Sequence, residues 1–171
     1  RFLITHVAPE TVAAVIAEPI QGEGGFITPP QEYFKKLLGI CKDNHILFIS
    51  DEVQTGVGRT GKMFAMEHYG VEPEITTVAK SLAAGMPLSA VVGDKNIMGT
   101  VHPSGVGGTY GANPVCCAAG LAVLDIFEEE NLLAQAERLG EKIRGRFDSW
   151  KKTYAIIGDV RGIGPMQALE L

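Results

Sequence analysis

Cysteine is scarce in this sequence and long apolar runs are missing, and each shortage excludes a class of protein. Only three of the 171 residues are cysteine, and none has the C-x-x-C spacing of a zinc or redox site. We therefore predict free thiols, buried as small apolar side chains, and a reducing, cytoplasmic setting. No apolar stretch approaches the roughly 20 residues that a membrane-spanning helix needs. No secretory signal peptide is visible at the start of the sequence.

Positively charged residues are fewer than negatively charged ones, 15 lysines and arginines against 20 aspartates and glutamates. The net charge is −5, which argues against binding to nucleic acid or to an anionic membrane surface. The four histidines lack any metal-ligand spacing, so we predict no metal site and assign no role to His6, His45, His68 and His102. No methionine starts the chain, and residues 168–171 indicate an unfinished strand, so we expect a segment of a longer polypeptide.

Apolar residues are plentiful, at 46% of the sequence, which predicts a folded core. A continuous apolar run at 12–17 and a largely apolar run at 46–50 indicate buried parallel strands, and a helix predicted at 30–43 joins them into a βαβ unit. The other predicted elements are a short helix at 63–69, strands at 74–79 and 88–92, helices at 113–127 and 132–152, a turn at 158–159 and a strand at 166–171. The predicted fold class is α/β, a mostly parallel sheet flanked by helices, with a boundary near residue 155.

Two charged residues stand at the ends of neighbouring strand candidates. Asp51 closes the run 46–50, and Lys80 follows the run 74–79. Open α/β sheets bind ligands at the carboxyl ends of their strands, so the acid and the amine are expected at one edge. Such a pair could serve an electron-withdrawing cofactor, because the acid can keep a ring nitrogen protonated and the amine can form a Schiff base. Glu52 is expected to point to the opposite face from Asp51.

Several of these features have ordinary alternatives. Taken alone, Asp51 could be a helix or loop cap, and Lys80 a strand-end lysine whose amine reaches solvent. Residues 56–62 have the G-x-x-x-x-G-K spacing of a phosphate-binding loop, but Met63 stands where a magnesium-binding Ser or Thr is required. The glycine-rich residues 107–111 precede a predicted helix, as in many anion-binding loops.

Five segments together resemble the class III (ω-amino acid) aminotransferases, which are pyridoxal-phosphate enzymes of fold type I. The matching segments, in order, are AEPIQGEGG (17–25), LFISDEVQTGVGRTG (47–61), TTVAKSLAAGMPLSAVVG (76–93), GGTYGANPVCCAAG (107–120) and GDVRGIG (158–164). The resemblance implies that residues 1–155 are part of the cofactor-binding large domain and that 156–171 begin the small C-terminal domain.

The resemblance also implies roles for four residues around pyridoxal 5′-phosphate. Lys80 is expected to form the Schiff base with the cofactor and later to move a proton between substrate and cofactor. Asp51 is expected to pair with the ring nitrogen and keep the ring an electron sink. Val53 would pack on the face of the ring, and Gln54 would reach its phenolic oxygen.

Three further residues are implied on the substrate and subunit sides. Thr109 would contact the phosphate of the partner subunit's cofactor in a homodimer or a dimer of dimers. Glu23 would pair with a mobile arginine that lies outside this chain, and Glu18 would lie near the substrate.

The activity implied is transfer of an amino group from an ω-amino acid, with 4-aminobutyrate as the expected donor, to 2-oxoglutarate. Ornithine, acetylornithine or a diamine is the alternative donor, and a racemase or decarboxylase could use the same lysine and aspartate. A phosphate-loop nucleotide binder and a non-catalytic remnant are the alternatives from other classes. Parts of the family's site lie outside the chain, so we expect the segment alone to have little or no transaminase activity.

Overall fold

The computed structural model describes residues 7–105, 107–109 and 111–171. Within these residues the main sheet has four strands in the spatial order β1 (Ala14–Ala17), β2 (Leu47–Asp51), β3 (Ile75–Val78) and β4 (Ala90–Gly93). The first three strands are parallel, and β4 runs antiparallel to β3. The predicted fold class, a mostly parallel sheet flanked by helices, is confirmed.

The helices described by the structure are α1 (Tyr33–Asp43), α2 (Lys95–Met98), α3 (Pro114–Glu129) and α4 (Leu132–Thr153), with 3₁₀ turns at Pro9–Thr11, Ala65–Tyr69 and Lys80–Ala83. The sequence does not predict the short helix α2, whereas α1, α3 and α4 lie close to predicted segments. Helix α3 starts sharply because Pro114 occupies its first turn and the Asn113 side chain accepts hydrogen bonds from two backbone N–H groups. It extends two residues past its predicted end at 127, into glutamates that favour helix. The segment predicted as a short helix at 63–69 is a 3₁₀ turn.

The core lies between α1 and one face of the sheet. Phe34 on α1 makes an edge-to-face contact with Tyr69 at 4.9 Å between ring centroids, and Phe48 of β2 packs beside them. Cys41 is buried in the same cluster, and burial, with a smaller contribution from Glu74, raises the pKa of its thiol. This face of β2 is therefore covered by packed side chains.

The cysteines behave largely as the composition predicts. In the part of the chain that the structure describes, all three are free thiols; Cys41 and Cys116 are buried, and Cys117 is half-buried. None of the described helices is long and apolar enough to cross a membrane.

The last part of the chain forms a hairpin, of which the sequence predicts only the second strand. Strands β5 (Asp159–Ile163) and β6 (Met166–Glu170) pair antiparallel as a separate two-stranded sheet, whereas only a turn and the second strand were predicted. The prediction failed at β5 because Gly162 interrupts the strand pattern. Gly162 has φ +131°, and a Cβ there would lie 2.1 Å from the carbonyl oxygen of Met166.

Three segments meet backbone to backbone beside this hairpin. A Cβ on Gly140 of α4 would lie 2.4 Å from the carbonyl carbon of Gly164, in the hairpin turn. A Cβ on Gly164 would in turn lie 2.4 Å from the carbonyl oxygen of Thr60. The glycines thus let α4, the hairpin turn and the loop after β2 approach more closely than any side chain would allow.

Candidate active site

The carboxyl ends of β2 and β3 bring Asp51 and Lys80 to the same edge of the sheet. Asp51 and Thr77 are register partners in the parallel pair, and Lys80 follows Thr77 by three residues. The Asp51 carboxylate accepts hydrogen bonds on Oδ1 from the backbone N–H of Val53, at 3.1 Å, and from the hydroxyl of Thr77, at 3.2 Å. These two bonds fix the orientation of a half-buried anion.

Lys80 has an unusual backbone conformation at this edge. It begins the 3₁₀ turn Lys80–Ala83 with φ +47°, in the left-handed region that side-chain-bearing residues rarely adopt. The residue is exposed, so its amine is accessible to a ligand.

One cavity, of about 710 Å³, brings together three of the residues that the sequence singled out. Lys80, Gln54 and Glu23 all line it, and the side-chain amide of Gln54 donates a hydrogen bond to Glu23 Oε1 at 3.1 Å. Pro165 in the hairpin turn and Met166 at the start of β6 also line this cavity. A larger cavity, of about 930 Å³, lies around Glu52, Glu67 and Glu74 and contains none of the predicted site residues.

The other predicted residues do not line this cavity. Of those the structure describes, Asp51, Val53, Glu18 and Thr109 are outside the cavity lining. Glu18 Oε2 accepts a hydrogen bond from the backbone N–H of Gly22 at 2.8 Å and so braces the glycine-rich loop that carries Glu23. Thr109 is exposed in the loop before α3; positions 106 and 110 of that loop are outside the described residues, as is His6.

Glu52 has a structural role that the sequence pattern does not predict. The expected alternation is confirmed, because Glu52 turns to the covered face of the sheet and only 1% of it is exposed. Its carboxylate accepts hydrogen bonds from the hydroxyl of Thr55 at 2.5 Å and from the backbone N–H groups of Ala65 and Met66, each at 3.0 Å. Burial raises the pKa of this carboxyl, and the three hydrogen bonds oppose that shift. Glu52 thereby ties the end of β2 to the 3₁₀ turn Ala65–Tyr69.

The loop at 56–62 does not have the structure of a phosphate-binding loop. The backbone N–H of Gly56 donates to the carbonyl of Glu52 at 2.9 Å, and that of Val57 donates to the carbonyl of Met63 at 2.8 Å. A phosphate loop keeps such N–H groups free for its ligand and leads directly into an α-helix. Here a 3₁₀ turn follows, beginning at Ala65. The geometry therefore argues against the nucleotide-binding alternative.

Metal-ligating side chains do not converge anywhere in the described ranges. Within residues 7–105, 107–109 and 111–171, no group of three or more His, Cys, Asp or Glu side chains could hold a metal ion.

Comparison with proteins of known sequence shows close relatives along the whole chain. A probable 4-aminobutyrate aminotransferase of Bacillus subtilis is 49% identical over 99% of this chain, and a 5-aminovalerate aminotransferase of Pseudomonas putida is 51% identical over all of it. A leucine/methionine racemase of Thermococcus litoralis is 49% identical over 97% of the chain. The chain spans 39%, 40% and 38%, respectively, of the length of these relatives.

Solved structures agree with the sequence comparison. The crystal structure of a transaminase from the marine bacterium Virgibacillus superposes with a TM-score of 0.93 at 40% identity, covering 98% of this chain and 39% of that one. The family model described as "Aminotransferase class-III" matches residues 2–171. This chain therefore belongs to the class-III aminotransferase family.

Proposed function

We propose that the full-length protein is a pyridoxal-phosphate-dependent aminotransferase that transfers the amino group of an ω-amino acid, 4-aminobutyrate first among them, to 2-oxoglutarate. The observation that carries the proposal is the placement of Asp51 and Lys80 at the ends of neighbouring parallel strands. Lys80 also shares a cavity with Gln54 and Glu23. Membership of the family supports the reaction class, and two of the relatives compared above support a terminal amine as donor.

The residues present fit this cofactor. The cofactor has an aldehyde that requires an amine and a ring nitrogen that requires an anion, and Lys80 and Asp51 supply one each. Both hydrogen bonds to the Asp51 carboxylate end on Oδ1, and no donor among the described residues reaches Oδ2. The second oxygen is thus available to a ring N–H.

When bound, pyridoxal phosphate supplies an aldehyde that joins amine nitrogens and a ring that takes up the electron pair left when an amino carbon loses its proton. Asp51 contributes a fixed negative charge, which raises the pKa of a nearby ring nitrogen and keeps it protonated. Lys80 contributes a primary amine that can accept a proton from the amino-bearing carbon and return it at a neighbouring atom.

The remaining residue roles belong to the same proposal. Gln54 would donate to the phenolic oxygen and Val53 would pack against the ring. Glu23, already hydrogen-bonded to Gln54, and Glu18, which braces its loop, would shape the substrate side. Thr109 would serve the partner's cofactor in a homodimer or a dimer of dimers.

The domain division and the setting of the protein are also part of this proposal. Residues 1–155 would belong to the large domain and 156–171 would begin the small one, which the separate β5–β6 sheet supports. A cytoplasmic setting remains a prediction.

The assignment of Lys80 is tested by covalent labelling. The full-length protein is loaded with pyridoxal phosphate, reduced with borohydride, digested and mapped by mass spectrometry. We expect the cofactor mass on the peptide that contains Lys80, and no label in the Lys80→Ala variant. Lys62→Ala is the matched control, because Lys62 is also exposed and lies in the loop that imitates a phosphate site. Label on a different lysine, or undiminished label in Lys80→Ala, would refute the assignment.

The substrate is tested by measuring glutamate formed from 2-oxoglutarate with a series of donors. 4-Aminobutyrate is expected to react fastest, with 5-aminovalerate, ornithine, acetylornithine and a diamine as the competitors. Racemisation is the second candidate function, because one of the similar relatives is a racemase and the same lysine and aspartate could serve it. Inversion of an α-amino acid in the absence of any oxo acid, without glutamate formation, would favour that reaction over transamination.

A further inference from the structure

Arg161 links two walls of the cavity that are far apart in the sequence. From β5, its Nε donates a hydrogen bond to the carbonyl oxygen of Gly25 at 2.9 Å, across 136 residues. Its Nη1 donates to Asp159 Oδ2 at 3.0 Å and to Glu170 Oε2 at 2.6 Å. Only 22% of the side chain is exposed. The guanidinium is therefore held by three acceptors, one of which belongs to the glycine-rich loop.

Gly25 lies at the tip of the loop that carries Glu23. The base of that loop is closed by reciprocal backbone hydrogen bonds between Gln21 and Ile27, at 3.0 and 3.2 Å. Among the described residues, no backbone hydrogen bond joins the tip to another segment of the chain. Its hydrogen bonds to other segments there are Gln54–Glu23 and Arg161–Gly25. Gly25 has φ +110°, so the tip depends on a conformation that suits glycine.

The two segments that Arg161 joins both line the cavity that Lys80 lines. The loop supplies Glu23 and Phe26, and the hairpin turn supplies Pro165 and Met166. We propose that Arg161 is a positioning residue that fixes the loop tip against the hairpin, and so sets where Glu23 and Phe26 stand on the substrate side of the site. This inference rests on the proposed function, because it assigns a task within the same cavity.

The two carboxylates orient the guanidinium rather than supply much stability. Asp159 and Glu170 are both substantially exposed, and ion pairs of that kind contribute little free energy. By fixing Nη1 they aim Nε at the Gly25 carbonyl. A lysine at position 161 would keep the positive charge. Its single ammonium nitrogen lacks the rigid planar geometry of the guanidinium and so cannot reproduce the three directed hydrogen bonds.

The structural part of the proposal is tested by hydrogen–deuterium exchange of peptides covering residues 18–27 in the full-length protein. Arg161→Met should speed exchange of these amides by about tenfold, the effect of losing one hydrogen bond from a charged donor. Arg161→Lys should give an intermediate rate and also serves if Arg161→Met fails to fold. Arg144→Met is the control, because Arg144 forms a comparable arginine–aspartate pair with Asp148 on α4. Arg144→Met should leave the exchange rate of residues 18–27 unchanged.

The functional part is tested by steady-state kinetics of the same variants. Arg161→Met should raise the KM of the amino donor by about tenfold, as expected for the loss of one such bond, and change kcat by less than about threefold. Partial recovery of KM in Arg161→Lys supports positioning. Unchanged exchange of residues 18–27, or a fall in kcat with unchanged KM, overturns the inference.

Failure of the two proposals can be told apart. A wild-type protein that takes up no cofactor and forms no glutamate contradicts the proposed function, while the exchange experiment still decides whether Arg161 holds the loop. A wild-type protein that transaminates, with Arg161→Met matching Arg144→Met in both exchange and KM, contradicts only the role of Arg161.

Discussion

Replacing Glu52 by glutamine is the change whose outcome the structure specifies most fully. The carboxylate receives three donors: Oε2 accepts from Thr55 and from Ala65 N, and Oε1 accepts from Met66 N. A glutamine oxygen can take the place of Oε2 and keep two of these bonds. Its NH₂ group then takes the place of Oε1 and faces the N–H of Met66, so that two donors meet in a buried position.

The expected loss in the free energy of unfolding follows from this meeting of two donors. A buried donor left without a partner costs about 1–3 kcal/mol, and removal of a buried negative charge offsets part of this. We expect Glu52→Gln to lower the free energy of unfolding by about 1–3 kcal/mol. Glu52→Ala leaves all three donors unpaired and opens a void, so its loss should be on the order of 4 kcal/mol.

Urea denaturation followed by circular dichroism measures both variants, and Glu67→Gln provides the matched control. Glu67 is exposed, and among the described residues its side chain accepts one backbone hydrogen bond, from Phe64 N at 2.8 Å. Its amide can keep that bond, so the change should stay within about 0.5 kcal/mol. If Glu52→Gln proved as stable as Glu67→Gln, the structural role that we assign to Glu52 would be wrong.

Three further outcomes are expected. Gly140→Ala should destabilise the protein, because its Cβ would overlap backbone, whereas Gly145→Ala on the same helix meets nothing within 4 Å and should stabilise it by about 0.5–1 kcal/mol in thermal unfolding. Burial, followed by the charge of Glu52, raises the pKa of Tyr69 from 10.0 to about 12. The stability present below pH 10 should therefore fall by about 3 kcal/mol as the pH rises through 12 and beyond, and Tyr69→Phe should abolish this fall in pH-dependent denaturation. Cys117 should react with a thiol reagent faster than Cys41 because Cys41 is buried with a raised pKa, and equal rates by peptide mapping would contradict this.

The parts of the fold that the sequence predicts are those governed by local pattern. Strands β1 and β2 come from apolar or largely apolar runs, and α1 between them has an apolar face that buries Phe34 and Cys41. Once those elements are recognised, the placement of Asp51 and Lys80 at one edge follows from the parallel order of the strands. The predicted architecture was therefore correct where burial alone decides it.

The parts that the sequence does not predict depend on contacts between distant backbone groups. Two of the three hydrogen-bond donors to Glu52 are backbone N–H groups 13 and 14 positions away, and these carry no side-chain signal. The bond from Arg161 to Gly25 joins positions 136 residues apart through a carbonyl oxygen. The sequence does not predict strand β5 because Gly162 weakens its strand pattern. The reason for a glycine there is the close approach of the neighbouring strand, which only the fold reveals.

The left-handed backbone of Lys80 has a consequence for how this protein could be improved. A residue with a side chain held at φ +47° costs on the order of 1–2 kcal/mol that a glycine would largely avoid. A screen that selects only for resistance to heat would thus favour glycine at position 80, and it would discard the one amine that the proposed reaction requires. At position 80, stability favours glycine whereas the proposed reaction requires lysine, and the sequence has lysine.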